Sequence, residues 1–155
     1  MTLTPSYSER LGVPLRWWVQ GTMLVATFWL AVVVALPAAA AWLVTAVALA
    51  LLVFPLWSYG SPRITVSGST FTAGRARIGA EHLGVVETLD AEETRRVAGV
   101  EADARAYLLL RPYLKRAVKV EITDPADPAP YWLVSTRRPE ELVSALSALA
   151  GATGR

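Results

Sequence analysis

The residues that could do chemistry in this chain are few and scattered. His82 is the only histidine, and Glu81 precedes it. Adjacent strand residues point to opposite faces, so we interpret this pair as structural rather than as an acid–base couple. Asp124 and Asp127 could be metal ligands, but each precedes a proline, which favours hydrogen bonding within a turn. The sequence therefore predicts no catalytic residue and no metal or cofactor site.

Known catalytic motifs are absent from the sequence as well. It has no nucleophile elbow, phosphate-binding loop, dinucleotide fingerprint, zinc-protease helix or EF-hand loop. It also has no cysteine, which excludes disulfides, thiolate metal sites and a cysteine nucleophile. An enzyme is therefore the least favoured function class, and we expect no cofactor.

A cluster of basic residues is the one surface feature that suggests binding. Beside a membrane, such groups can contact anionic lipid headgroups or a protein partner. The competing interpretation, which the sequence favours, is a solvated face paired with acids, because residues 63–155 carry 13 Lys and Arg against 12 Asp and Glu. This near balance does not indicate nucleic-acid binding. The basic cluster consists of Arg111, Lys115, Arg116, Lys119, Arg137 and Arg138.

The region before these residues is a long uncharged apolar segment. No Asp, Glu, Lys, Arg or His lies between Arg16 and Arg63. As one helix, residues 17–57 would be about 60 Å long, roughly twice the hydrocarbon thickness of a bilayer. Pro37 lies near the middle, where it would end a helix. The sequence therefore predicts a transmembrane hairpin over residues 15–59, with helices at about 15–36 and 39–57.

The flanks of the hairpin predict its orientation. Arginines precede the first helix and follow the second, whereas the connecting turn is uncharged, so the positive-inside rule places both termini in the cytoplasm. A cleaved signal peptide is disfavoured because a second apolar stretch follows the first directly. We therefore expect a multi-pass protein of the cytoplasmic membrane. Its interface anchors would be Trp17, Trp18, Trp57 and Tyr59.

The interior of the predicted hairpin is rich in small residues. The pairs Ala31/Ala35 and Ala46/Ala50 have the spacing that lets helices approach closely, and we interpret them as packing the hairpin together. The apolar segment contains no ionisable residue, which argues against transport by this chain alone.

The remaining chain predicts a short tail and a small domain. Residues 1–14 are interpreted as a cytoplasmic N-terminal tail, and residues 60–155 as a cytoplasmic α+β domain. Alternating apolar residues over 117–123 predict a strand, and Leu142, Leu146 and Leu149 line one face of a C-terminal helix that begins near Pro139. A small antiparallel sheet closed by such a helix is similar to the pleckstrin-homology-like fold.

Several stretches also resemble a family of small actinobacterial integral membrane proteins classified only as a domain of unknown function. The resemblance implies a membrane protein of a high-GC Gram-positive bacterium and implies no activity. The stretches are Tyr7–Leu11, residues 74–78 and 81–84, residues 102–107, Thr123-Asp124-Pro125 and Tyr131–Pro139.

Together these features predict a non-enzymatic, membrane-anchored interaction module. Its cytoplasmic domain would bind a protein partner or anionic lipid. The alternative is an accessory subunit of a larger envelope or transport complex, in which the hairpin itself is the binding surface.

Overall fold

The computed structural model describes residues 6–153, which form two compact units. Residues 12–61 make up the helical hairpin. The second unit joins residues 6–11 to residues 62–153. The hairpin is therefore inserted between the first strand of the α+β unit and the rest of it.

The hairpin unit consists of helices α1 (Leu15–Ala35) and α2 (Ala38–Tyr59). Leu36 takes an extended conformation, with φ −124° and ψ 153°, because the following proline disfavours helical geometry. Pro37 is the N-cap of α2. The two predicted helices and their break at Pro37 are thus confirmed.

The seam between the two helices differs from the prediction. Its buried residues are Val32, Ala41 and Thr45, and a Cβ on Gly21 would lie 2.5 Å from the Leu52 side chain. The alanine pairs that were expected to pack the hairpin are exposed instead. Ala46, for example, follows the seam residue Thr45 and is therefore turned about 100° away from it around the helix. The exposed alanines are Ala31, Ala35, Ala46 and Ala50.

The first sheet of the α+β unit is fully antiparallel, in the order β1-β2-β3-β4. Gly74 has φ +63° in the tight turn before β4, a conformation that side chains with a Cβ rarely adopt. Its strands are β1 (Tyr7–Arg10), β2 (Arg63–Ser67), β3 (Thr70–Ala73) and β4 (Ala76–Gly79).

Strand β1 corrects the prediction that residues 1–14 form a separate tail. Residues 7–10 pair with β2 and belong to the α+β unit, while residues 1–5 lie outside the described part of the chain. The strand has only four residues, and one of its two inward side chains is the carboxylate of Glu9. A pattern so short and polar does not indicate a buried strand.

The second sheet contains four strands in the order β5-β7-β8-β6. The neighbouring strands are antiparallel, as predicted, except that β6 pairs with β8 in parallel. β6 and β7 run in opposite directions with β8 between them, which makes β6 parallel to β8. The strands are β5 (Leu83–Leu89), β6 (Tyr107–Leu109), β7 (Ala117–Ile122) and β8 (Tyr131–Ser135).

Two helices cover the second sheet. Helix α3 (Ala91–Ala98) begins with the expected capping box, in which Asp90 accepts from the Glu93 amide and Glu93 accepts from the Asp90 amide. Helix α4 (Pro139–Thr153) buries three leucines among residues of both sheets, which confirms the predicted closing helix. These leucines are Leu142, Leu146 and Leu149.

Candidate functional site

The two helices of the hairpin present an apolar surface along their length. Its helices of 21 and 22 residues are long and apolar enough to cross a membrane. Large apolar side chains point outward along both, for example Leu24 at 71% and Phe54 at 72% exposure. Hydroxyl groups bond within their own helix, as Thr45 does to the Ala41 carbonyl oxygen at 2.8 Å. Such a surface suits hydrocarbon better than water.

The four predicted interface anchors lie at one end of the hairpin. The helices run antiparallel, because the Trp29 and Trp42 rings lie 6.0 Å apart near the turn and Gly21 faces Leu52. Residues near the start of α1 therefore lie beside residues near the end of α2. Trp17, Trp18, Trp57 and Tyr59 therefore lie at the same end of the hairpin, and their role as interface anchors stays a prediction.

The chain enters and leaves the hairpin through two neighbouring strands. The Leu11 amide donates to the Pro62 carbonyl oxygen at 3.1 Å, and the Ser6 amide donates to that of Val66 at 2.9 Å. The Tyr113 hydroxyl donates to the Leu11 carbonyl oxygen at 2.7 Å. The chain segments before and after the hairpin thus pair with each other within the α+β unit.

A buried carboxylate holds β1 to the end of β8. Glu9 is 5% exposed and accepts three hydrogen bonds. Its donors are the Tyr7 hydroxyl at 2.7 Å, the Thr136 hydroxyl at 2.5 Å and the Arg137 amide at 3.0 Å. The Arg137 guanidinium lies 3.8 Å away and bonds the Arg10 carbonyl oxygen. These bonds satisfy a charge that would otherwise be costly to bury.

Tyr7, the tyrosine of this network, has a raised pKa. The pKa of Tyr7 is raised to about 12, chiefly by burial; the hydrogen bond with Thr136 opposes this increase and the neighbouring Glu9 carboxylate adds to it. Arg138 lies over the Tyr7 ring at 5.4 Å. Two stretches that carry the family resemblance, Tyr7–Leu11 and Tyr131–Pro139, therefore meet around Glu9.

Five of the six residues in the basic cluster lie at one end of the second sheet, where β7 begins and β8 ends. Arg116 pairs with Glu140 at 2.9 Å, and Arg138 pairs with Glu141 at 2.9 Å. Arg137 belongs to the Glu9 network described above. Acids of the same domain thus neutralise much of this positive charge.

The other members of the basic cluster contribute little to a common surface. The Arg111 guanidinium bonds the Leu110 carbonyl oxygen at 2.9 Å and is half-buried, whereas Lys115 is exposed. Lys119 lies apart, on the outer face of β7, with its ammonium 5.0 Å from the Tyr131 ring centre. A role of the cluster in binding lipid or a partner stays a prediction.

The other candidate residues lie in ordinary structural settings. His82 and Glu81 are 3.8 Å apart at the protein surface. Asp124 and Asp127 accept hydrogen bonds from the amides two residues later, at 2.8 and 2.9 Å, which confirms the predicted turn chemistry. Within residues 6–153, no group of three or more His, Cys, Asp or Glu side chains could hold a metal ion.

A shallow depression of about 320 Å³ lies on the outer face of the second sheet. Lys119 lines it together with two glutamates, so the depression presents both signs of charge and selects no class of ligand. Its lining residues are Val85, Glu87, Lys119, Glu121, Pro130 and Tyr131.

The outer face of the first sheet carries three arginines and several hydroxyl residues, with the Glu81 carboxylate beside Gly79 at the β4 edge. This face was not predicted from the sequence. Inward and outward side chains alternate along its strands. We call six of the outward residues the arginine face: Ser8, Arg10, Arg63, Thr65, Thr72 and Arg77. The signal was present in the alternation, but the face is built from four separate strands, one of which precedes the hairpin. Its arginines were considered only as flanking charges of the hairpin.

Comparison with known proteins gives a family but no described activity. No curated protein and no solved structure matches the chain. Residues 6–146 match a family described as a protein of unknown function, DUF3093. This match includes both the hairpin and nearly all of the α+β unit, so the chain belongs to that family.

Proposed function

We propose that this protein is a non-enzymatic interaction module anchored in the cytoplasmic membrane by its hairpin. Both termini lie in the cytoplasm, where the α+β domain binds a protein partner or anionic lipid headgroups. We further propose that the protein comes from a high-GC Gram-positive bacterium and that its domain has a pleckstrin-homology-like fold. The closing helix α4, packed into the core, supports the latter.

The pairing of β1 with β2 carries the topology of this proposal. The strand before the hairpin and the strand after it exchange hydrogen bonds, so both must lie on the same side of any membrane that the hairpin enters. The turn between the helices contains only a few residues and no charge. Flanking arginines favour the cytoplasm for the strand side.

A fusion experiment tests the orientation. Alkaline phosphatase fused after Arg155 is expected to be inactive, because it folds only outside the cytoplasm, whereas a green fluorescent protein at the same point is expected to fluoresce. A matched phosphatase fusion after Pro37, truncating the chain in the turn, is expected to be active. Phosphatase activity at Arg155 would refute the proposed topology.

The interaction role can be separated from the alternative of an accessory subunit. Two features of the hairpin favour that alternative: Ala46 and Ala50 face outward, and the buried Trp29 indole N–H has no hydrogen-bond partner within the described chain. Native-membrane affinity purification in mild detergent identifies the partners. Loss of capture after substitutions on the exposed domain supports the module. Loss only after Ala46→Leu and Ala50→Leu supports the accessory subunit.

A further inference from the structure

We propose that the arginine face docks on the phosphate groups of anionic phospholipids in the membrane that holds the hairpin. This inference rests on the proposed membrane anchor and names the surface and the ligand class. The face contains three arginines and three hydroxyl residues on adjoining strands, with all six side chains on one side of the sheet.

The arginines of this face are placed where they repel one another. Arg10 and Arg63 are direct cross-strand partners, which brings their Cβ atoms to roughly 5 Å, and like charges so placed are destabilising. Arg77 lies across the sheet, opposite Thr72. None of the three forms an ion pair with an acid in the described part of the chain. A bound anion would relieve this repulsion.

The hydroxyl residues extend the same surface. Ser8, Thr65 and Thr72 form one row across β1, β2 and β3, which ends at Arg77. The carboxylate of Glu9 points to the opposite side of the sheet, into the core. Guanidinium forks and hydroxyls donate hydrogen bonds to phosphate oxygens, so the face matches the chemistry of phosphate groups.

The position of these residues in the chain favours lipid phosphate as the source. Arg10 precedes the first residue of α1 by five positions, and Arg63 follows the last residue of α2 by four. A chain spans at most about 3.6 Å per residue, so each arginine lies within about 18 Å of a helix end. The aromatic anchors mark those helix ends as the interfacial ends of the hairpin.

The basic cluster differs from the arginine face in its ion pairs. Arg116 and Arg138 each bind a glutamate of α4, so their charge is already compensated. The arginines of the arginine face form no ion pair with an acid among the described residues, although the Glu81 carboxylate lies at the β4 edge of the same side. A triple substitution in each region removes the same charge and separates a specific face from a general attraction.

The test uses the full chain in nanodiscs of phosphatidylcholine, alone or with one-third phosphatidylglycerol. Because the natural chain has no cysteine, Ser67→Cys gives a single labelling site on the outer side of the first sheet, beside the arginine face. A fluorophore there is quenched by lipids that carry a headgroup quencher. A label at exposed Ser147 of α4 is the reference for a site outside the face.

We expect the Ser67 label to be quenched more strongly with phosphatidylglycerol, and less as salt rises. The triple variant Arg10→Gln, Arg63→Gln and Arg77→Gln should lower the ratio of docked to free domain on the order of a hundredfold, since each basic group near an anionic surface contributes roughly fivefold. The matched control should keep the docked state. It carries Lys115→Gln, Arg116→Gln and Lys119→Gln.

Three results would overturn the proposal. The first is equal quenching of the Ser67 label in the two lipid compositions. The second is an equal loss of quenching in both triple variants. The third is release of the domain from the lipid surface when inorganic phosphate replaces chloride at constant ionic strength. The last would assign the face to free phosphate. If the triple variant unfolds early, Arg63→Gln alone is compared with Lys115→Gln. An alkaline wash that releases the chain from lipid contradicts the anchor itself, whereas a retained chain with no lipid dependence contradicts only the arginine face.

Discussion

Replacing Glu9 with alanine should release strand β1 from the α+β unit. The carboxylate accepts hydrogen bonds from Tyr7, Thr136 and the Arg137 amide, all at 3.0 Å or less. Without it, the two hydroxyls can still pair with each other, as they already lie 3.1 Å apart. One buried hydroxyl proton and the partly buried Arg137 amide then lose the acceptor that Glu9 provides, and each unmet group costs about 1–3 kcal/mol.

The expected loss is about 3–4 kcal/mol, within the range for two donors that lose their acceptor. Hydrogen exchange of the full chain in lipid measures it locally, through the Ser6 and Leu11 amides that bond β2 and the loop before it. Their protection should fall by about 10²- to 10³-fold in Glu9→Ala. Ser8→Ala, on the opposite face of the strand, is the matched control and should change stability by no more than about 0.5 kcal/mol.

The Glu9→Gln variant keeps the shape of the side chain and should have an intermediate effect. Unchanged protection of residues 6–11 in Glu9→Ala would show that the backbone pairing with β2 alone holds the strand. The assigned role of the carboxylate would then be wrong.

Two further predictions concern the core and the pH dependence of stability. Leu146→Asp places a charge at a fully buried position of α4 and should lower the free energy of unfolding by several kcal/mol. The α+β unit should then lose its cooperative melting transition, and an unchanged melting curve would exclude α4 from the core. Tyr7 keeps its proton in the folded chain up to about pH 12, whereas the unfolded chain loses it near pH 10. The proton on Tyr7 therefore contributes its full stabilisation below pH 10. As the pH rises towards 12, about 2–3 kcal/mol of the free energy of unfolding is lost. Tyr7→Phe should show a smaller decline in denaturant midpoint over this range, and an equal decline would contradict it.

Long periodic segments were readily predicted from the sequence. The apolar run fixes two helices because its length and Pro37 leave few alternatives. Val118 and Val120 alternate with polar residues, which predicts β7, and the leucines of α4 recur at helical spacing. The hairpin was predicted from the length of its apolar run, and β7 and α4 from the spacing of their apolar residues; such local signals leave tertiary context little to override.

The surfaces could not be predicted, because they depend on pairings between distant segments. Arg10 and Arg63 are separated by the whole hairpin and become neighbours only through the register of β1 and β2. Arg116 and Glu140 likewise meet only once β7 and α4 are in place. A list of charges along the chain therefore identified the compensated basic cluster and missed the arginine face.

Because the hairpin separates two paired strands in the sequence, the order of synthesis affects how the first sheet folds. Strand β1 is made first, but its partner β2 follows only after residues 12–61 have been synthesised. Closing a flexible loop of that length would cost about 3.5 kcal/mol of entropy beyond a constant term. Helices already paired in the bilayer hold the two ends together and remove much of that cost. Membrane insertion should therefore act as the nucleation step for the first sheet, and chains that fail to insert should leave β1 unpaired and open to proteolysis.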